Sequence, residues 1–108
     1  MILMCKKPDG SSTMIRLKTI SSAKPVTIGR GEDATIIIQD PKASRVHTAI
    51  RYWDDIFVVR DMNSSNGTFL NGQKIEVAKL HAGDVLKVGD TEFHVAVEEG
   101  SGTDVTLI

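Results

Sequence analysis

The sequence contains a single cysteine and no long hydrophobic run, and each of these shortages excludes a class of protein. Cys5 lies within the apolar run 1–5, so we expect a buried thiol rather than a reactive or metal-bound one. One cysteine also favours a reducing compartment, and we predict a cytoplasmic protein. No apolar run approaches the ~20 residues that span a bilayer, and the first residues lack the basic start of a signal peptide. The sequence therefore predicts no membrane insertion.

An excess of charge of one sign is also absent, which argues against a general affinity for polyanions. The 108 residues include 13 Lys and Arg against 14 Asp and Glu, giving a formal net charge of −1. Aromatic residues are few, with one Trp, one Tyr and three Phe, whereas single-stranded nucleic acids need stacking platforms and a basic groove. We therefore predict no nucleic-acid partner, and any positive field must be local.

Short strand-like runs separated by turn residues fill the sequence, and no stretch shows a sustained helical period. Asn71-Gly72, for example, tolerates positive φ and suits a tight turn between two strands. Such a pattern describes a β-sandwich or a β-barrel and does not choose between them. The predicted strand segments span residues 1–6, 14–20, 26–29, 35–39, 46–53, 56–60, 69–75 with the Asn71-Gly72 turn inside it, 85–88 and 91–97.

The length of the chain fits one domain with one hydrophobic core. We expect residues 1–97 to form that domain. Residues 98–108 are polar and flexible at their start, so we expect either a tail or an added edge strand there. We see no internal repeat.

Two clusters of small hydroxyl and amide residues lie at the two ends of a predicted pair of strands. The first is Ser44-Arg45-Val46-His47, and the second runs from Ser64 to Asn71. A single antiparallel fold brings such loops near each other, and Gly29-Arg30 adds a second guanidinium at the end of an earlier strand. Hydroxyls, turn N–H groups and two Arg side chains are donors that suit an anion. The sequence therefore predicts an anion site, with phosphate as its ligand.

These pieces together resemble the forkhead-associated (FHA) domain. The resemblance rests on Gly29-Arg30, Ser44-Arg45-Val46-His47, Ser65-Asn66-Gly67-Thr68 and Asn71-Gly72, in this order and at this spacing. It covers about residues 26–97. The resemblance implies an all-β fold, a β-sandwich of two mostly antiparallel sheets with binding loops at one end. It also implies that the domain binds phosphothreonine peptides.

The resemblance further implies which residues bind the phosphopeptide. Arg30 matches a phosphate ligand, since its planar fork suits phosphate bidentately. Ser44 and Ser65 match positions whose hydroxyls reach the phosphate. Arg45 offers its backbone N–H, while its side chain is a contact at the rim of the site. Asn66 is expected to bond the main chain of the peptide, because an amide donates and accepts at once.

A second group of residues is expected to support the site without touching the ligand. His47 matches an internal residue that braces the binding loops, and Gly67 and Thr68 match the turn that holds Asn66. The three His residues have no metal-ligand spacing, so we predict no metal and no cofactor. The five supporting residues are Gly29, His47, Gly67, Thr68 and Asn71.

We therefore predict a monomeric, phosphothreonine-dependent protein–protein interaction module that acts as an adaptor in Ser/Thr kinase signalling. Its partner would be a phosphothreonine-containing protein, either a Ser/Thr kinase or a substrate of one. A phospho-independent scaffold or assembly domain that uses the same fold stays open as an alternative. An enzyme with a Ser44–His47–Asp61 triad is a weaker alternative, because no nucleophile elbow or oxyanion device is indicated.

Overall fold

The computed structural model of the chain describes residues 1–6, 10–17, 24–53 and 56–96. Within these residues the chain forms eleven β-strands in two sheets. The predicted strand ends at 18–20 and 97, and the predicted tail or edge strand at 98–108, lie outside the described residues. In chain order the strands are β1 (Ile2–Lys6), β2 (Ser12–Arg16), β3 (Val26–Gly29), β4 (Ile36–Ile37), β5 (Thr48–Trp53), β6 (Ile56–Asp61), β7 (Thr68–Leu70), β8 (Gln73–Ile75), β9 (Val77–Leu80), β10 (Val85–Val88) and β11 (Thr91–Ala96).

The strands form a two-layered sandwich. Six of them make one sheet in the order β2-β1-β11-β10-β7-β8, in which the paired neighbours run antiparallel. The other five make the second sheet in the order β4-β3-β5-β6-β9, in which β3 and β4 are parallel and the other pairs antiparallel. The expected all-β sandwich of two mostly antiparallel sheets is therefore confirmed.

The hydrophobic core lies between the two sheets. Leu3 and Phe93 reach it from the six-stranded sheet, and Ile50 and Val59 reach it from the five-stranded sheet, all four fully buried. Burial of a side chain of this size stabilises the fold by roughly 1.5–3 kcal/mol. Cys5 packs into the same core, as expected. The described part of the chain contains no helix that is both long and apolar enough to cross a membrane.

The strand predicted at 35–39 is much shorter in the structure. Only β4 pairs, in parallel with β3, and the backbone N–H of Ile38 then donates to the carbonyl of Gly29 at 2.8 Å. The Ile37 side chain is 56% exposed while Ile38 is buried, so the Ile-rich run is not a fully buried strand. The chain leaves the sheet here because Asp40 is drawn towards the turn between β10 and β11.

The segment predicted at 69–75, with a tight turn inside it, is a hairpin, and a further strand follows it. β7 and β8 are joined by Asn71 and Gly72 with φ of 53° and 85°, which confirms the predicted tight turn. β9 was not predicted from the sequence, although it pairs with β6 over four residues. It follows β8 after Glu76 alone, so no turn sequence marks its start.

The loops that carry the two polar clusters and Arg30 lie at one end of the sandwich. β3 ends at Gly29, β5 begins at Thr48, β6 ends at Asp61 and β7 begins at Thr68. The register places Ile28, Thr48 and Asp61 side by side across three strands. The hydroxyls of Thr48 and Thr68, both fully buried, lie 2.8 Å apart and join the two sheets at this end. The loops 30–35, 38–47 and 62–67 therefore emerge together.

Candidate functional site

Gly29 and Gly31 allow two Arg-bearing loops to lie in direct backbone contact. The N–H of Arg30 donates to the carbonyl of Ser44 at 2.9 Å, and the N–H of Gly31 donates to that of Arg45 at 3.0 Å. A Cβ placed on Gly29 would lie 2.1 Å from the Arg45 carbonyl oxygen. Because that contact is with backbone, no side-chain movement relieves it, and the approach of the loops requires glycine.

Arg30 is exposed but anchored. Its Nε donates to the carbonyl of Ala43 at 2.9 Å, so the guanidinium lies against the loop that carries Ser44. Within the described residues, no acceptor occupies its terminal Nη groups. The anchor fixes the plane of the fork and leaves its two ends for an anionic ligand.

Ser44 has its backbone N–H and its hydroxyl placed by two neighbours. Its N–H donates to Nδ1 of His47 at 3.0 Å, and its Oγ accepts from the N–H of Ser65 at 3.1 Å. Because Oγ is an acceptor in that contact, its own O–H remains available to donate to a ligand. Ser65 is exposed beside it. The structure thus brings Arg30, Ser44, Arg45 and Ser65 into one loop cluster.

His47 is fully buried beneath this cluster and links its loops. Since Nδ1 accepts from the N–H of Ser44, the ring proton is assigned to Nε2, which donates to the carbonyl of Gly67 at 2.8 Å. The His47 backbone carbonyl accepts from the N–H of Met62 at 2.9 Å. Both ring nitrogens are therefore used in bracing the loops, and neither contacts the Ser44 hydroxyl.

Asp61 shapes the loop that carries Ser65 and Asn66. Its carboxylate accepts from the hydroxyls of Ser64 at 2.5 Å and Thr68 at 2.7 Å. Burial tends to raise the pKa of Asp61, but these hydrogen bonds outweigh it and hold the pKa below the ordinary value. The carboxylate is thus occupied by the loop and makes no bond to His47, which excludes the triad geometry.

Gly67 and Thr68 complete that loop. Gly67 has a φ of 87°, and its N–H donates to the Ser64 hydroxyl at 2.9 Å. The aliphatic stem of Lys74 crosses it so closely that a Cβ on Gly67 would lie 2.8 Å from Cε. Thr68 is fully buried and donates to Asp61, so Thr48 is the donor in the contact between the two threonines. The loop is rigidly seated on the sandwich.

Asn66 connects its loop to the loop before Ser44. Its Nδ2 donates to the carbonyl of Lys42 at 2.7 Å, which uses one of the two N–H groups of the amide. Asn66 is exposed, as contact with a peptide main chain requires. The structure shows that Asn66 joins two loops, and its bond to a peptide main chain stays a prediction.

Asp40 is a supporting residue that the sequence did not reveal. It is only 6% exposed, and its carboxylate accepts from the N–H of Lys42 at 3.0 Å, the N–H of Asp90 at 2.7 Å and the Thr91 hydroxyl at 2.8 Å. Burial raises the pKa of Asp40, and the bonds from Thr91, Lys42 and Asp90 lower it further than burial raises it. Asp40 ties the loop of Lys42 to the turn between β10 and β11.

Asn71 lies apart from the cluster, at the far end of β7 from Thr68. Its Nδ2 donates to Asp84 at 2.9 Å and its Oδ1 accepts from the N–H of Val85 at 2.9 Å. These bonds hold the chain that leads into β10. In the part of the chain that the structure describes, Asn71 therefore makes no side-chain bond to the loops of the cluster, and it can stabilise them only indirectly, through β7.

The motif residues of the cluster offer hydrogen-bond donors, and the two carboxylates beneath them are already bonded. Arg30, Arg45 and Ser65 are exposed at this end of the molecule. The carboxylates of buried Asp40 and half-buried Asp61 are occupied by internal bonds. No group of three or more His, Cys, Asp or Glu able to hold a metal occurs in the described residues. The arrangement is suited to bind an anion.

Comparisons with known proteins agree with this geometry. A family model described as the FHA domain matches residues 26–89. The FHA domain-containing protein FhaA of Mycobacterium tuberculosis is 36% identical over 87 residues, which cover 81% of this chain and 16% of FhaA. FhaB of the same species is 34% identical over 88 residues, which cover 81% of this chain and 56% of FhaB. The chain thus spans less than two thirds of either relative.

Solved structures give the same result. The crystal structure of the FhaA FHA domain complexed with the intracellular domain of Rv3910 matches with a TM-score of 0.72 and 30% identity, covering 86% of this chain and 96% of that chain. A structure from a study of phosphothreonine-dependent FHA domain interactions matches with a TM-score of 0.73 and 28% identity, covering 91% and 98%. Nearly the whole of each solved domain is therefore represented here.

Proposed function

The chain belongs to the FHA domain family, a family of interaction modules rather than of enzymes, and we propose on that premise that it binds phosphothreonine-containing proteins. The observation that carries the proposal is the Ser44 hydroxyl, held by Ser65 and His47 with its proton available beside the anchored Arg30. The FhaA domain complexed with an intracellular domain of Rv3910 supports protein–protein interaction as the purpose of such a site.

The phosphate would be bound by charge-assisted hydrogen bonds. A phosphothreonine carries about −1.5 to −2 charges at pH 7 and three acceptor oxygens. Arg30 would grip it through its Nη groups, the hydroxyls of Ser44 and Ser65 would donate to it, and Arg45 would add its backbone N–H. Asn66 would bond the main chain of the peptide and so fix its direction across the loops.

The affinity follows from these contacts and their cost. Each hydrogen bond to a charged group contributes about 1.5–3 kcal/mol, while ordering a flexible peptide costs several kcal/mol. The balance gives a dissociation constant in the micromolar range, or about −8 kcal/mol. Such a complex forms and dissociates readily, which suits an adaptor whose partner is switched by a Ser/Thr kinase.

The remaining features of the proposal come from the sequence and the family. We propose a monomeric domain over residues 1–97 that uses no cofactor and catalyses no reaction, working in the cytoplasm with a kinase or a kinase substrate. Residues 98–108 would continue from the domain as a tail or edge strand. Nucleic acid and membrane are not partners in this proposal.

Replacing Arg30 tests the proposal at its most charged contact. We expect Arg30→Ala to weaken binding of a phosphothreonine peptide, chosen from a degenerate library, by about tenfold to a hundredfold, because both charge and hydrogen bonds are lost. Lys87→Ala removes an exposed cation on the six-stranded sheet and serves as the matched control. Fluorescence polarisation measures the affinity of both variants for the peptide. An equal loss of affinity in the two would mean that binding depends only on the general charge of the protein.

A further inference from the structure

A groove of about 500 Å³ lies on the outer face of the five-stranded sheet, away from the loop cluster. Its floor is apolar and includes Val58 and Ile56 of β6. Its cations are Arg51 of β5, Arg60 of β6 and Lys79 of β9, all three exposed. None of these residues takes part in the phosphothreonine site, so the groove requires a separate explanation.

The strand register sets the spacing of the three cations. Val58 pairs with Arg51 on one side and with Lys79 on the other, while Arg60 lies two residues further along β6. Strands lie about 4.8 Å apart and residues i and i+2 about 6.8 Å apart, so the backbone positions form a triangle with sides of roughly 8–10 Å. Val58 lies midway between Arg51 and Lys79, and the long basic side chains can reach a ligand placed over it.

Among the described residues, no carboxylate forms an ion pair with these three cations. Asp84, Asp90 and Glu92 pair with other residues. The chain as a whole has a formal net charge of −1, so the face departs from the average of the molecule. Ile56 and Met62 are also 39% and 41% exposed along the groove. An apolar patch rimmed by charges of one sign marks an interaction surface.

We propose that this face docks an acidic segment of a partner protein, one that carries carboxylates together with at least one large apolar side chain. The carboxylates would pair with Arg51, Arg60 and Lys79, and the apolar side chain would cover Val58. The groove is concave, which fits a polypeptide better than the plane of a membrane. The site acts independently of the phosphothreonine loops.

A synthetic peptide rich in Glu and Leu, with a twin in which Gln replaces every Glu, is the probe for this site. In an NMR titration of the labelled full chain, we expect the Glu peptide to shift amide signals of β5, β6 and β9, and the Gln twin to shift none. Arg51→Gln combined with Lys79→Gln should weaken binding about threefold to tenfold, since each exposed pair contributes little alone. Lys87→Gln, on the other sheet, should leave the affinity unchanged.

Arg30→Ala should also leave this affinity unchanged, which separates the docking face from the phosphothreonine site. Shifts confined to loops 44–47 and 64–67, equal binding of the Gln twin, or no shifts at all would each overturn the proposal. Two other occupants would overturn it as well. They are an anionic phosphatidylserine vesicle and a second copy of the chain. The proposal is overturned if either binds through Arg51 and Lys79 while the Glu peptide does not bind.

Discussion

Ser44 and His47 show how single residues set the geometry of the site. The Ser44 hydroxyl is positioned because its backbone N–H is bound to His47 and its Oγ to the N–H of Ser65. His47 in turn reaches the carbonyl of Gly67 through its other nitrogen. One buried imidazole thus fixes the distance between the two loops that would hold the phosphate.

Removal of that imidazole tests its role. We expect His47→Ala to lower the free energy of unfolding by about 2–5 kcal/mol, because it leaves a cavity together with unpaired partners. His94→Ala, at an exposed position, should change it by less than about 0.5 kcal/mol. Urea denaturation measures both variants. A His47→Ala protein as stable as the parent but unable to bind phosphopeptide would make His47 a ligand instead of a brace.

Two glycines in the same loop are expected to respond differently to the same substitution. Gly29→Ala places a methyl group 2.1 Å from a backbone oxygen, so we expect a loss of about 3 kcal/mol and displacement of Arg45. Gly31→Ala meets Cβ of Arg45 at 3.0 Å and the Arg45 carbonyl oxygen at 3.2 Å, contacts that a shift of a few tenths of an ångström relieves, so we expect a smaller cost of about 1–2 kcal/mol. Thermal unfolding and peptide titration of both variants measure this order, and equal effects would contradict it.

The residues of the site could be predicted from the sequence where they lie in contiguous motifs. Arg30, Ser44, Ser65 and Asn66 belong to short polar runs next to strand ends, whose chemistry predicts an anion site. The role of each residue was predicted only from the resemblance to the FHA domain. Asp40 could not be found in this way, because the residues that it holds at the β10–β11 turn lie 50 and 51 positions away in the chain. Its importance exists only once the sandwich has formed.

At the scale of elements, the loops depend on carboxylates that join one strand end to another. Asp40 joins the loop of Lys42 to the β10–β11 turn, and Asp61 joins the end of β6 to the start of β7. The folded pKa of each lies below the ordinary value of 3.8. A depressed carboxyl pKa means that the stabilisation is present above the unfolded value and is lost as pH falls through the folded value.

The stability of the fold should therefore be lost in acid. We expect the free energy of unfolding to hold from neutral pH down to about pH 4 and to fall below it, as Asp40 and Asp61 take up protons. Asp40→Asn should lower stability at neutral pH by about 1–3 kcal/mol and flatten the acid limb. Asp90→Asn, which breaks only an exposed pair with Lys42, should cost less than about 1 kcal/mol. Denaturation curves at several pH values test this, and an unchanged acid limb in Asp40→Asn would contradict it.

Strands could be predicted from the sequence where polar and apolar residues alternate and turn residues lie at both ends of the alternating run. β3, β6, β10 and β11 have clear turn residues at their ends, and each was found to within about one residue. β4 was overestimated because a run of Ile indicates burial without saying how long the pairing lasts. β9 was missed because its sequence, Val-Ala-Lys-Leu, does not alternate between polar and apolar residues although its burial does, and no turn sequence separates it from β8.

At the scale of the whole molecule, positive charge is concentrated in two places, so anionic ligands are attracted only locally. The formal net charge is −1, yet Arg30 and Arg45 lie together at one end and Arg51, Arg60 and Lys79 on one face. Exposed charges are screened by salt over about 10 Å at 0.1 M ionic strength. Binding at both places should weaken as salt rises. The sequence could predict a low net charge, but only the fold determines which cations come together.

The most direct test of phosphothreonine recognition is a calorimetric titration with one peptide in three forms, carrying phosphothreonine, phosphoserine or unmodified threonine at the same position. We expect micromolar binding of the first, no measurable binding of the last, and phosphoserine binding several-fold to a hundredfold more weakly than phosphothreonine. Burial of the threonine methyl contributes about 0.8 kcal/mol, and its β-branching reduces the rotamer freedom lost on binding. Identical titration curves for the phosphorylated and unmodified threonine peptides would contradict the account.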